Sequence, residues 1–218
     1  MKDSNELRQS VIDACRWLGS NGYVFGTWGN ISVRLDDGNI LITPTKLSYE
    51  CMEPCDLVVI SPKGDIVSGT RIPTSERAMH IKVMEYRKDM NVIIHDHSPY
   101  ALAVCALGEE IPAITEEMGQ LLGGSIPVTD RFIPSVRHEE LADAVVKSIK
   151  DRSAILMRNH GPVCLGRTLD EALVTCQVVE KSAMIYLHIS GFGHARAITD
   201  AEVKTGRDFY LNSYGKAL

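Results

Sequence analysis

The sequence predicts an α/β chain, residues 1–218, folded as one three-layer α/β/α domain around a mixed, largely antiparallel central sheet. Three observations predict it. Two alternating apolar runs fold back around tight turns in the first third of the chain, and short apolar runs then alternate with helical periods. No linker, repeat or low-complexity stretch divides the 218 residues, and 44% hydrophobic content is enough for one large core. Strands first paired by hairpins and later separated by helices call for cover on both faces of the sheet.

Residues 5–19 carry Leu7, Val11, Ile12, Cys15 and Leu18 at helical spacing, and the pattern stops at Ser20-Asn21-Gly22. Residues 30–45, NISVRLDDGNILITPT, alternate on both sides of Asp37-Gly38, a hairpin signal. Residues 57–69, LVVISPKGDIVSG, repeat that arrangement around a Pro-Lys-Gly-Asp turn. From Pro73 the period becomes helical, with Thr74 or Ser75 as the expected cap and Met79, Val83 and Tyr86 facing inward. Then follow a strand at 91–95, helices at 98–107 and 115–122, a strand at 125–130 and a helix at 138–149. A strand at 154–160, a long helix at 168–190 and a polar C-terminal helix or coil bearing Tyr210 and Tyr214 complete the chain.

A formal net charge of -5 provides no sustained positive field, which excludes nucleic acid and anionic membranes as main partners while leaving room for a small anion in a local pocket. The N-terminal segment has acids within an amphipathic pattern rather than a basic start and an apolar block, and no apolar run reaches the roughly 20 residues of a membrane span, so a cytoplasmic location is expected. The six cysteines show no CxxC spacing and read as reduced thiols; Cys51 and Cys55, in CMEPC, form no metal motif without a second pair. Asn30-Ile31-Ser32 matches a glycosylation acceptor, which has no use without secretion.

The chemistry concentrates at residues 93–101, IIHDHSPYA. In a strand, side chains at i and i+2 share a face with Cα atoms about 6.5 to 7 Å apart, so His95 and His97 can grip one ion, although an isolated HxH is more commonly two surface imidazoles at a strand end and the other candidate ligands decide. His160, in LMRNHGP, is expected to end another strand where Gly161-Pro162 turns the chain. Glu76 opens the helix directly before the HxH strand and can deliver a carboxylate to the same edge, or merely favour the helix dipole. Three imidazoles and one carboxylate suit zinc or another borderline divalent ion and leave it a formal charge of about +1, enough to attract a developing oxyanion. A carboxylate able to leave the metal becomes a nearby base, and enediolate formation is the natural chemistry of such a site. The loops GTWGNIS, TPTK and PTSE form a second, polar group in which Thr74 and Ser75, before a helix start, suit an anion such as phosphate, or simply cap the helix.

With GTWGNISVR, ITPT, PTSE, HDHSPYA and RNHGP in this order, the chain resembles the class II aldolase/adducin family, on its L-fuculose-1-phosphate aldolase side, over almost its whole length. The resemblance implies a zinc-dependent lyase that cleaves a 1-phosphorylated ketose into dihydroxyacetone phosphate and an aldehyde, with manganese or cobalt as other candidate metals. It also implies a homotetramer with active sites between subunits and a small phosphorylated sugar as substrate. His95, His97 and His160 match the metal ligands, and Glu76 the movable ligand and base. Asn30, Thr45, Thr74 and Ser75 match the phosphate contacts, and Tyr214, in NSYGK, the C-terminal tyrosine that closes over the site.

Three departures from the family pattern stand out. Lys46 replaces the glycine of TPTG or TPSG and either offers a point charge to an anion or points to solvent. PAITEEMGQ offers Glu116 and Glu117 where fuculose-phosphate aldolases have a proton-donating tyrosine, and DRFIPSVRH replaces a PYxxxGT type of turn. A sugar-phosphate 4-epimerase or a decarboxylase of a phosphorylated sugar acid, the latter using Lys46 or Arg131, is therefore the nearest enzyme alternative, and an adducin-like binding module the alternative from another class.

Overall fold

The computed structural model describes residues 1–215; the last three positions of the expected domain, 216–218, lie outside the described residues. Seven strands form one sheet in the order β4-β3-β2-β1-β5-β7-β6: β1 (Asn30–Arg34), β2 (Ile40–Ile42), β3 (Val58–Ile60), β4 (Ile66–Ser68), β5 (Val92–His95), β6 (Ala154–Met157) and β7 (Gly161–Gly166). Every pairing among them is antiparallel. The parallel component of the expected mixed sheet comes down to one isolated bridge, Val128 with Leu156.

The strands alternate between two cores, as period-2 side-chain geometry requires of a sheet covered on both faces. Ile31, Val33, Ile94, Leu156 and Cys164 pack on one face, with α1 (Asn5–Ser20), α3 (Pro99–Leu107), the π-helical turn Met118–Leu122 and α5 (Leu169–Ser190). Ile42, Ile60, Ile93, Ile155 and Leu165 pack on the other, with α2 (Arg77–Tyr86) and α4 (His138–Ile149). Two cores, each with helices over it, make the expected three layers. Ser4, Thr168 and Thr199 cap α1, α5 and the C-terminal α6 (Asp200–Asn212), each side chain accepting a free backbone N–H of the first turn.

Several local expectations need correction. The segment 154–160 is not one strand: β6 stops at Met157, Asn159 adopts φ +55°, and β7 begins at once, so His160 sits in a hairpin turn. Gly161-Pro162, read from sequence as a break, opens a strand paired on both sides, which Pro tolerates at a strand's first residues. Residues 125–130 form only isolated bridges, because Pro127 interrupts any longer ladder. The expected helix at 115–122 shrinks to the π-helical turn. Tyr86 is exposed. The cap of α2 is Glu76 rather than Thr74 or Ser75, and its carboxylate turns away from the helix. Four cysteines are buried, whereas Cys51 and Cys55 are exposed thiols.

Register is what creates a site. The pairing of β1 with β5 sets Asn30 opposite His95, and that of β5 with β7 sets His95 opposite Val163. The start of β1, the end of β5 and the β6–β7 turn therefore meet at the strand ends in the middle of the sheet, and α2 begins beside them.

Candidate active site

His95, His97 and His160 converge there, each with a ring nitrogen within 4.8 Å of the others'. His97 Nε2 lies 3.1 Å from His95 Nε2, while Glu76 Oε1 is 3.1 Å from His160 Nε2 and Glu76 Oε2 is 3.5 Å from His95 Nε2. Ligands held at 2.0–2.1 Å around a tetrahedral ion are about 3.3 to 3.4 Å apart, so these three edges match a metal's coordination shell. Two further observations agree. Glu76 Oε1 and His160 Nδ1 are buried without a hydrogen-bond partner among the described residues. His95 donates Nδ1–H to the Pro162 carbonyl at 2.8 Å, which leaves its Nε2 lone pair facing the cluster, as a metal ligand's must. The residues fit a divalent ion.

The electrostatics favour the same protonation states. Burial holds the His95 imidazole below its ordinary value, and burial together with neighbouring His95 and His160 takes His97 down to about 3. Both are thus neutral, ligating bases. Burial pushes the Glu76 carboxyl up, but His95, His160 and the Asn30 amide outweigh it and hold the group well below the carboxylate range. Glu76 is therefore ionised.

Glu76 is held from behind. Asn30 Nδ2 donates to Glu76 Oε2 at 2.8 Å, its carboxamide oxygen accepts from His80 Nε2, and Ser32 Oγ meets His80 Nδ1 at 2.6 Å. Backbone approach at this point needs glycine: a Cβ on Gly29, at φ +142°, would stand 2.6 Å from Val24 Cγ2 and 3.2 Å from the His95 carbonyl oxygen.

A cavity of about 330 Å³ opens from the cluster, lined by Asn30, Thr45, Lys46, Thr74, Ser75, Glu76, His97 and His160, with Trp28 and Ser135 at its walls. An isolated antiparallel bridge between Pro44 and Pro73 lays the TPTK and PTSE loops side by side. That bridge gathers hydroxyls and one cation into a rim suited to an anion. Thr74 Oγ1 accepts the Glu76 backbone N–H at 3.3 Å, so part of its capacity goes to the turn itself. Lys46 is exposed at this rim with φ +58°, a left-handed conformation unusual for lysine.

Three expected participants lie elsewhere on the chain. Tyr214 is 62% exposed and packs against Phe209 and Tyr210. Glu116 accepts from Gln120 at 2.9 Å and lines a separate groove against α6. Arg131 pairs with Glu140 at 2.6 Å, away from the cavity. The structure adds residues that sequence reasoning passed over. His80 lies one helical turn after Glu76, a spacing that could have shown both on one face. Ser135 comes from the divergent DRFIPSVRH loop and carried no recognisable signal. Trp28, inside a quoted motif, is 68% exposed and stacks on His97 with an interplanar angle of 11°.

An imidazole cluster with a buried carboxylate, at the strand ends of an antiparallel sheet between covering helices, is the arrangement of a metal-assisted enzyme of the α/β/α class. Comparison with known families makes the assignment specific: residues 9–187 match the family model for the Class II Aldolase and Adducin N-terminal domain, and the chain belongs to that family. It is 30% identical to the 5-deoxy-D-ribulose 1-phosphate aldolase of Bacillus thuringiensis serovar kurstaki, over 90% of this chain and 92% of that protein. It is 35% identical to the L-fuculose phosphate aldolase of Escherichia coli K12, over 85% of this chain and 84% of that one. Among solved structures, an L-fuculose 1-phosphate aldolase superposes with a TM-score of 0.90 at 28% identity, covering 96% of this chain and 98% of that chain. The chain is an enzyme, a lyase of the class II aldolase kind. No helix among the described residues is long and apolar enough to cross a membrane.

Proposed function

We propose that this chain is a zinc-dependent aldolase that cleaves a 1-phosphorylated ketose into dihydroxyacetone phosphate and an aldehyde. The observation that carries the reading is Glu76: one oxygen is pinned by Asn30, the other faces His160, and the carboxylate lines a cavity whose opposite rim suits phosphate. His95, His97, His160 and Glu76 would hold the ion, with zinc as the expected metal and manganese or cobalt as alternatives. When bound, it supplies Lewis acidity to the oxygens of the reacting carbons. Asn30, Thr45, Lys46, Thr74 and Ser75 bind the phosphate and set the distance between it and Glu76. Cleavage moves a proton from the hydroxyl that becomes the aldehyde and returns one to the carbon left on the phosphate-bearing fragment; Glu76 is the group placed at that fragment to carry the proton to the carbon, and it acts as the base when the same step runs toward condensation.

Glu116 and Tyr214 enter this reading through assembly. The whole chain acts as one domain in a cytoplasmic homotetramer, and a neighbouring subunit supplies the acid and the closing tyrosine to a site shared between chains. The relatives' substrates, 5-deoxy-D-ribulose 1-phosphate and L-fuculose phosphate, support a five- or six-carbon 1-phosphorylated ketose. One observation favours a second reading: Lys46 adds a cation to the rim, as a decarboxylase of a phosphorylated sugar acid would need. A zinc-reconstituted cleavage assay over 1-phosphorylated five- and six-carbon ketoses, detecting dihydroxyacetone phosphate against a chelated control, separates the two. Chelator-sensitive product supports the aldolase; silence with metal bound, and turnover of a phosphorylated sugar acid, supports the second reading.

A further inference from the structure

We propose that His80 is a positioning residue that, through Asn30, holds the Glu76 carboxylate in a single orientation by means of a one-way chain of hydrogen bonds beginning at Ser32. It rests on the reading of Glu76 as ligand and base.

The direction of the chain follows from what each group can donate. Glu76 is a carboxylate and can only accept, so the Asn30 atom 2.8 Å from its Oε2 is the amide nitrogen. The Asn30 carboxamide oxygen then faces His80 Nε2 and must be given a hydrogen, so Nε2 carries the proton. His80 is fully buried, and burial drives its imidazole down to about 3, so the ring is neutral and has only that one proton. Nδ1 is left as an acceptor, and the Ser32 hydroxyl, at 2.6 Å, is its donor. Every hydrogen in the series Ser32, His80, Asn30 points toward Glu76.

The consequence is orientational. A carboxamide is nearly symmetric in shape, so the acceptor-only carboxylate on one side and the proton on His80 Nε2 on the other together fix which end of Asn30 faces Glu76. With the amide reversed, its oxygen would oppose Glu76 Oε2 across the same gap, two acceptors in a buried space. Pinning Oε2 leaves Oε1, which has no hydrogen-bond partner among the described residues, as the oxygen presented to His160 and the cavity. Hydrogen bonds aligned in one sense polarise one another, so the far end of the chain still strengthens the near end.

The test combines a structural and a kinetic readout. Nitrogen-15 spectra of the histidine-labelled, metal-free protein should show His80 as the neutral Nε2–H tautomer at pH 7; an Nδ1–H tautomer or an imidazolium overturns the proposal whatever the substrate is. In zinc titrations of the metal-free protein, His80→Leu should weaken affinity about tenfold, and kcat of the reconstituted enzyme should fall about 10- to 100-fold with KM changed less than about twofold. His80→Gln, which keeps an amide N–H near the Nε2 position, should recover most of both losses. Should the leucine variant fail to fold, Ser32→Ala and His80→Gln still decide: Ser32→Ala should weaken zinc binding measurably and His80→Gln should not. A double-mutant cycle closes the case, because His80→Leu added to Asn30→Ala should have almost no further effect if His80 acts through Asn30. Additive losses, or a glutamine variant as impaired as the leucine one, overturn the assignment. Zinc affinity and the tautomer are read without any sugar, so failure of the aldolase reading alone leaves them intact.

Discussion

A Cβ placed on Gly161 would stand 3.1 Å from His95 Cε1 and 2.5 Å from the Asp96 carbonyl oxygen. The β6–β7 turn thus packs directly against the HxH strand end, and His160 reaches the cluster only because the next residue has no side chain. Gly161 also has φ +152°, a region costly to L-residues.

Gly161→Ala should accordingly destabilise the protein by about 2 kcal/mol or more and displace His160. Urea unfolding and zinc content after dialysis test this together. Unchanged midpoint and full zinc occupancy would show that the hairpin yields without moving the ligands.

Glu76 and His95 should separate binding from catalysis. Glu76→Gln keeps three imidazoles and should retain much of the metal, while kcat drops about 10²- to 10⁴-fold with loss of the base. His95→Ala should lose both metal and turnover. Metal analysis beside steady-state kinetics checks the pair, and a fully active Glu76→Gln would remove Glu76 from the proton-transfer role.

Lys46 sets local strain against charge. The left-handed conformation costs lysine about 1 to 2 kcal/mol, whereas glycine loses about 0.5 to 1 kcal/mol of chain entropy on folding. Lys46→Gly should therefore be slightly more stable in thermal unfolding and, with the rim's cation gone, show a KM several-fold higher for a phosphorylated substrate. Unchanged KM would mean that the lysine faces solvent during turnover.

Acid should destabilise the fold through His80. Its folded-state value of about 3 lies below the ordinary 6.5, so between those limits the unfolded chain binds the extra proton. Stability from this group is complete above pH 6.5 and is lost as pH falls, by about 2 to 3 kcal/mol at pH 4.5. Glu76 and His95 are the titratable neighbours that bear on it. Urea unfolding at pH 7.5 and 4.5 should show a larger loss in the wild type than in His80→Gln; equal losses would contradict the buried neutral state.

Legibility in the sequence followed locality. The helix at 5–19, both early hairpins and the strand ending at His95 carried their own periodicity and turn residues, and the structure keeps them. β7 did not, because Gly161 and Pro162 signal a break in any local window, yet burial against β5 and β6 on both sides overrides them. Residues 125–130 erred in the other direction: Ile126 and Val128 alternate as a strand would, but Pro127 between them lacks the N–H that a longer ladder needs. His80 looked like one more residue on a helix face, since nothing near it in the chain names Asn30 or Ser32 as its partners.

The sequence by itself determined which chemistry is available. HxH, PTSE and RNHGP are short motifs whose residue types and spacing declare imidazoles, a carboxylate and hydroxyls, and their order along the chain declares the family. Only the tertiary structure decided that these groups share one space. Their meeting depends on the register of Asn30 with His95 and of His95 with Val163, pairings of residues more than sixty positions apart. Register of that kind is set by which side chains each face of the sheet must bury, a property of the whole core rather than of any motif.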